Sequence, residues 1–174
     1  MSRPVITPTG KEVTWDENDI IVSKTDTKGI ITYANRIFQQ VACYSERELV
    51  GQPHNIVRHP DMPRCVFKLL WDTISNGTEI FAYVVNLNKH GDHYWVLAHV
   101  TPSFDMEGNI VGYHSNRRVP RRDAVDKCVD LYKALCAEEA KHTSPKDGIH
   151  AGENMVLSLL EENGITYDKF ALSL

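Results

Sequence analysis

The chain has 174 residues and a mass of 19.8 kDa, enough for one well-packed domain with an appendage. Its composition is 42% hydrophobic and 24% charged, which is typical of a globular protein and excludes disordered and repeat proteins. The net charge of −4 gives no electrostatic reason to expect nucleic acid as a partner. Because we find no long apolar segment and no signal peptide, we expect a cytoplasmic protein without membrane insertion.

The first part of the chain predicts short strands and a β-hairpin. Residues 13–15 and 20–23 have β-forming compositions. Residues 26–29, Asp-Thr-Lys-Gly, supply turn chemistry between 20–23 and another β-like run at 30–33. The two runs flanking this turn are therefore expected to pair.

The middle of the chain predicts three helices. Helical spacing starts after Asn35, whose side chain is suitable as an N-cap. Residues 45–48 fit a capping box that begins a second short helix. Pro63 suits the first position of a third helix, and apolar residues recur at helical spacing through 66–74.

Three further strands are predicted at residues 80–87, 94–101 and 110–115, separated by turns. Two strands, several short helices and then a three-stranded meander indicate an α+β fold. The expected architecture is a five-stranded antiparallel sheet with short helices on one side.

The remainder of the chain predicts a helical extension. Asp123 is a candidate N-cap for a helix with one apolar stripe, followed by a polar linker at 142–152 and a last helix at 153–162. The last helix, which is acidic, offers a further surface for self-association or for a basic partner around Val156, Leu159 and Leu160. The stripe of the first helix consists of Val125, Cys128, Val129, Tyr132, Leu135 and Cys136.

The densest polar cluster in an otherwise apolar region is His54, Asn55, Arg58, His59 and Asp61. Polar groups between hydrophobic elements either satisfy one another or meet a ligand. Considered alone, the cluster favours a structural network in which Asp61 accepts from Arg58 and caps the following turn.

Metal binding and catalysis have little support in the sequence. His59 with Asp61, or the turn residues 90–93, offer metal-ligand atoms, but neither group has the spacing of a zinc site. Phosphate-binding, serine-hydrolase and zinc-protease motifs are missing, and the cysteines form no CxxC pair. We therefore expect no enzyme and no metal site.

Four sequence motifs together resemble the PAS domain of bacterial aerotaxis receptors. They are GQPHNIVRHPDMP at 51–63, the helix carrying Trp71, KHGDHYWV at 89–96 and LYKAL at 131–135. The resemblance covers about residues 20 to 136. It implies a PAS fold that holds FAD non-covalently between the helices and the sheet, with an N-terminal segment at 1–19, the sensor domain at 20–119 and a helical output or dimerisation extension at 120–174.

The resemblance also implies a set of cofactor-binding residues, and the sequence departs from the family at two places. Residues 80–81 are Ile-Phe where the family usually has a Trp, and no membrane anchor or signalling rod follows within this sequence. From strand alternation we add Asn86 to the implied site. The cofactor-binding residues are then Asn35, Arg58, His59, Asp61, Trp71 and Asn86.

The function these observations predict is a stand-alone FAD-binding PAS sensor of redox or oxygen state. Without a rod of its own, it would signal through contacts with a partner protein, and we expect a homodimer. Two alternatives remain open: a cofactor-free PAS interaction module, and a PAS sensor that binds haem or a small metabolite.

Overall fold

The computed structural model describes residues 6–174, so residues 1–5 of the predicted N-terminal segment lie outside the described part. In that part the strands lie in the order β2-β1-β5-β4-β3 in one antiparallel sheet. The strands are β1 (Ile21–Thr25), β2 (Ile31–Ala34), β3 (Ile80–Leu87), β4 (His93–Phe104) and β5 (Ile110–Arg118). The helices are α1 (Arg36–Ala42), α2 (Glu46–Leu49), a 3₁₀ helix (His54–Val57), α3 (Arg64–Ser75), α4 (Arg122–Ala140), α5 (Pro145–Asn163) and α6 (Tyr167–Ser173).

The predicted α+β fold with five antiparallel strands is confirmed; β3 has the predicted bounds, whereas β4 and β5 are longer than expected. Pairing of β4 with β5 continues from Leu97↔Arg118 to Phe104↔Ile110. The strand expected at 13–15 is wrong, because this segment meets the sheet at one point, where the Val13 amide donates to the His93 carbonyl at 2.8 Å.

Asn35 joins the first strand to the first helix. Its Oδ1 accepts from the amides of Phe38 in α1 and Val22 in β1, each at 3.0 Å. Its Nδ2 donates to the Ile20 carbonyl at 2.8 Å. The predicted N-cap is confirmed, and the same side chain also fixes the start of β1 against α1.

The predicted helix starts are mostly correct to within one or two residues. The capping box of Ser45 and Glu48 is present at the start of α2. Pro63 is the N-cap of α3 rather than its first residue. Asp123 lies in the first turn of α4, whose N-cap is Arg121.

The linker predicted at 142–152 is wrong, because α5 begins at Pro145. Ser144 is its N-cap and Pro145 its first residue, a combination that favours a helix start. Gly148, which with Pro145 indicates a linker, and Gly152 at its predicted end are both buried inside this helix. Val156 and Leu160 are also buried, so the self-association surface expected there is closed within the chain. The helix α6 was not predicted.

The two faces of the sheet have different coverings. On one face α3 lies across the sheet, and the side chains of Val84 and Asn86 point toward it around a cavity. On the opposite face α4 covers Trp95, whose ring centroid lies 5.8 Å from that of Tyr132. The Tyr132 hydroxyl donates to the Tyr83 carbonyl at 2.5 Å, which fixes α4 to the edge strand β3. Among the described residues, no helix has the length and apolar character that crossing a membrane requires.

Replacing Asn35 tests its role as a structural residue. Asn35→Ala removes the cap of α1 and leaves the Val22 amide and Ile20 carbonyl without their partner, so we expect the free energy of unfolding to fall by about 2 kcal/mol or more. Urea unfolding measures this change. The control is Asn18→Ala, whose exposed side chain bonds to Asp16. An unchanged stability of Asn35→Ala would contradict the structural role.

Candidate functional site

A cavity of about 500 Å³ lies between α3 and the sheet. Four strands contribute to its floor because alternate side chains of each strand point to the same face. The floor consists of Ser23 and Thr25 of β1, Tyr113, Ser115 and Arg117 of β5, Ala98 and Val100 of β4, and Val84 and Asn86 of β3. Helix α3 adds Arg64, Phe67, Leu70, Trp71 and Ile74, and the remaining lining residues are Lys28, Gly29, Pro53, His54, Asn55, Arg58 and Ile149.

Trp71 forms an aromatic wall whose position depends on Gly29. The Trp71 ring stands edge-on to Tyr113, with ring centroids 5.5 Å apart. Gly29 has a positive φ of +78°, and a Cβ atom there would lie 2.9 Å from Cη2 of Trp71. Only glycine therefore allows both the turn after β1 and this close approach of the Trp71 ring.

The charges of the cavity have one sign. Its lining includes four cations, and within residues 6–174 no carboxylate lines it; the cations are Lys28, Arg58, Arg64 and Arg117. Lys28 and Arg64 are exposed, Arg58 is half-buried and Arg117 is buried. A cavity of this kind attracts a ligand that carries negative charge or several acceptor atoms.

Arg117 is the most unusual of the four cations because it is 4% exposed and has no acidic partner within the described chain. Its Nη2 donates to Ser23 Oγ at 2.8 Å and to His54 Nε2 at 2.6 Å. Its guanidinium lies 5.2 Å from the centre of the Phe38 ring. Its Nη1 is buried and has no hydrogen-bond partner among the described residues. Burial lowers the pKa of Arg117 to about 10, so the side chain is still charged at neutral pH.

His54 is held in its neutral form next to this cation. Burial first, and then the charge of Arg117, lower the pKa of His54 to about 3. A neutral ring can accept from Arg117 through Nε2, whereas an imidazolium has no lone pair there. The His54 ring also stacks on Phe38, with centroids 5.7 Å apart. The cavity therefore combines a fixed cation with a neutral imidazole.

The structure brings three of the six expected site residues into this cavity. Arg58, Trp71 and Asn86 line it. Asn35 lies outside the lining and is bonded to the backbone of β1 and α1. His59 and Asp61 line a second cavity of about 470 Å³, next to Trp95 on the opposite face of the sheet.

The expected ion pair between Arg58 and Asp61 is wrong. Arg58 Nη2 donates to the Met62 carbonyl at 3.0 Å, and its guanidinium lies over the Phe67 ring. The Asp61 side chain is 87% exposed, and its Oδ2 lies 3.8 Å from Nδ1 of His59, which accepts a hydrogen bond from the Asp61 backbone amide at 3.1 Å. The reason is that the loop directs Arg58 and Asp61 to different faces of the sheet.

Arg117, the most deeply buried of the four cations, is not among the site residues that the sequence predicts. The last strand was predicted to end at residue 115, two residues before it. Strand alternation from Tyr113 and Ser115 would have placed Arg117 on the same face, had that strand been extended. In the part of the chain that is described, no three His, Cys, Asp or Glu side chains are grouped to hold a metal ion.

The low pKa of His54 predicts a pH dependence of stability. Its folded pKa is depressed below the ordinary value of 6.5, so this stabilisation is complete above pH 6.5 and is lost as the pH falls toward 3. Between about pH 7.5 and about pH 5 we expect wild type to lose about 2 kcal/mol more than His54→Gln, since Gln does not titrate. Urea unfolding at both pH values measures the difference. Equal losses would show that His54 takes up its proton in the folded protein.

Comparison with known proteins gives a consistent family. A family model described as the PAS fold matches residues 16–115. The aerotaxis receptor of Escherichia coli strain K12 is 41% identical over 151 residues, covering 87% of this chain and 28% of that receptor. The nitrogen fixation regulatory protein of Klebsiella pneumoniae is 25% identical over 103 residues, covering 59% of this chain and 21% of that protein. The chain thus spans only a minor part of these relatives.

Solved structures support the same assignment. The light-state structure of the blue-light photoreceptor Aureochrome1 LOV aligns with a TM-score of 0.57 and 26% identity, covering 63% of this chain and 88% of that one. A PAS domain from Colwellia psychrerythraea aligns at 0.54 with 21% identity, covering 58% and 86%, and supports the fold alone. Since the family model covers more than half of the chain and the aerotaxis receptor is 41% identical over most of it, the chain belongs to the PAS-fold family.

Proposed function

We propose that the cavity binds FAD non-covalently and that the protein is a sensor of redox or oxygen state, not an enzyme. The sensor passes its signal to a partner protein, in the manner of aerotaxis or a related pathway, and acts as a homodimer in the cytoplasm. The observation that carries this proposal is the buried side chain of Arg117, which lines a cavity of about 500 Å³ that has no carboxylate among its described lining residues.

The size and chemistry of the cavity support a large, electron-rich aromatic ligand. Its volume falls within the range of about 300–1,000 Å³ that is usual for ligand pockets. Trp71, Phe67 and Tyr113 provide aromatic surface, and Asn86 and Arg117 add polar side chains to the same lining. A flavin combines a planar aromatic ring with several oxygen and nitrogen acceptors, and FAD adds a diphosphate.

The cations of the cavity differ in exposure, which suggests that each would bind a different part of FAD. Lys28 and Arg64, near solvent, suit the phosphates of FAD, because cations there neutralise charge without a desolvation cost. Arg117 suits acceptor atoms of the ring system, because its side chain lines the cavity and its Nη1 has no hydrogen-bond partner among the described residues. When bound, FAD supplies a reversible change in electron and proton content, and these side chains orient it and exclude water.

The family usually has a Trp where this chain has Ile80 and Phe81, and another aromatic residue lies on the cavity side of the sheet. Phe81 points away from the cavity and stacks on His99, with centroids 4.2 Å apart. Tyr113, edge-on to Trp71, provides aromatic surface on the cavity side instead. The departure at 80–81 therefore does not remove the aromatic wall.

The absorption spectrum of the purified full chain, with mass spectrometry of any released ligand, tests the proposal. We expect the two-band spectrum of an oxidised flavin and the mass of FAD, either as purified or after incubation with FAD. A Soret band would show that the cofactor is haem, and a released ligand with the mass of FMN would show that it is FMN. A protein that takes up no ligand would favour the cofactor-free PAS interaction module.

Arg117→Met is the matched variant for this experiment. Losing charged hydrogen bonds of about 1.5–3 kcal/mol should weaken FAD binding by roughly 10- to 150-fold. Because the variant also removes a buried, incompletely paired cation, we expect the ligand-free protein to keep its stability within about 1 kcal/mol. Fluorescence titration and urea unfolding measure the two quantities. Unchanged FAD affinity would contradict a role of Arg117 in binding.

A further inference from the structure

Helix α5 of the C-terminal extension forms part of the cavity. Its residue Ile149 is among the lining side chains. The helix packs along α3, the element that carries Trp71, and Lys68 of α3 pairs with Glu153 of α5 at 3.1 Å. The ligand site is therefore not complete without a helix that follows the sensor domain in sequence.

Two glycines allow α5 to approach its neighbours unusually closely. A Cβ atom on Gly152 would lie 2.8 Å from Cys65 Sγ in α3. A Cβ atom on Gly148 would lie 2.6 Å from the Glu139 carbonyl oxygen in α4. Glycine inside a helix costs about 0.5–1 kcal/mol relative to alanine, so its presence at both contacts indicates that close docking offsets this cost.

Glu139 of α4 connects the same helices through the start of α3. Its Oε1 accepts from the Cys65 amide at 2.8 Å, and its Oε2 accepts from the Arg64 amide at 3.2 Å. The N-cap of α3 is Pro63, whose side chain has no acceptor atom. Glu139 thus supplies the capping carboxylate of the cavity helix from a distant part of the chain.

We propose that α5 is a movable wall of the ligand cavity, and that ligand binding and docking of α5 stabilise each other through α3, with Glu139 as the positioning residue. This inference rests on the proposed function, because it requires a ligand in the cavity. Residues 141–144, which connect α4 to α5, are largely exposed, and α5 packs mainly on α3 and α4 rather than on the strands, so a shift of α5 against α3 leaves the strand pairing intact. Thermodynamic linkage requires that the coupling is equal in both directions.

The test uses the full chain with FAD as the ligand. Gly152→Val forces a branched side chain against Cys65 and undocks α5, and Ser158→Val introduces the same side chain at an exposed position of α5. We expect Gly152→Val to raise the FAD dissociation rate at least about fivefold, the lower end of typical coupling between sites. Ser158→Val should leave the rate unchanged.

Hydrogen exchange provides the reciprocal measurement. In wild type, FAD should slow amide exchange across residues 145–163, although only Ile149 of that helix lines the cavity. The variant Glu139→Ala should remove this protection, whereas Glu138→Ala, which loses an exposed pair with Lys141, should retain it. The Glu139 variant also keeps the test decisive if Gly152→Val does not fold.

The outcomes separate this inference from the proposed function. If FAD binds but leaves Gly152→Val at the wild-type rate while exchange shows α5 undocked, the movable wall is wrong and FAD binding stands. If wild type binds no FAD, the proposed function fails. Hydrogen exchange of the α3 amides 67–71 in ligand-free Gly152→Val, compared with wild type, then tests whether docking of α5 is coupled to α3. Faster exchange there supports it, and unchanged exchange overturns it.

Discussion

The buried charge of Arg117 is the constraint on which the rest of the site depends. Removing a guanidinium from water is costly unless its donors are paired, and a buried cation normally has a carboxylate beside it. Here Ser23 and the neutral His54 each accept one hydrogen bond, and Phe38 offers its ring face. These contacts satisfy part of the guanidinium of Arg117, a side chain that lines the cavity, and leave its buried Nη1 without a partner among the described residues.

The fold provides such a site because the space between the sheet and α3 is not filled by side chains on this face. Alternation along β5 places Tyr113, Ser115 and Arg117 toward α3, where a packed core would have apolar side chains only. The short elements α1 and α2 and the 3₁₀ helix hold His54 at the end of this row. In physical terms, the protein keeps a polar cavity that lowers the stability of the ligand-free chain, and a bound ligand restores that stability.

Much of the fold could be predicted from local signals. The turn at 26–29, the cap at Asn35 and the meander strands follow from residue chemistry over a few positions, and all are present. The wrong predictions concern elements whose bounds depend on contacts with distant segments of the chain. Gly148 indicated a linker because its structural role, a close approach to the backbone of Glu139 in α4, depends on a distant helix. The strand β5 extends to Arg118 because β4 and β1 pair with it, which no local pattern shows.

The candidate site shows the same division. Arg58 and Trp71, which the motif resemblance implies, and Asn86, which strand alternation adds, line one cavity, whereas His59 and Asp61 line the other. Arg58, His59 and Asp61 are neighbours in sequence, but the loop that carries them directs Arg58 to one cavity and the other two side chains to the second cavity. They therefore do not form one cluster. Arg117 was missed because its importance comes from burial.

The most direct test of this account is side-chain NMR of the Arg117 guanidinium in the full chain, with and without FAD. Arg117→Lys, which lacks these signals, assigns them. We expect saturating FAD to shift the Arg117 Nη resonances and to slow exchange of their protons with water, because the ligand supplies the missing acceptor. If FAD binds stoichiometrically and the Arg117 signals keep their positions and exchange rates, the buried cation does not hold the ligand and the central claim is contradicted.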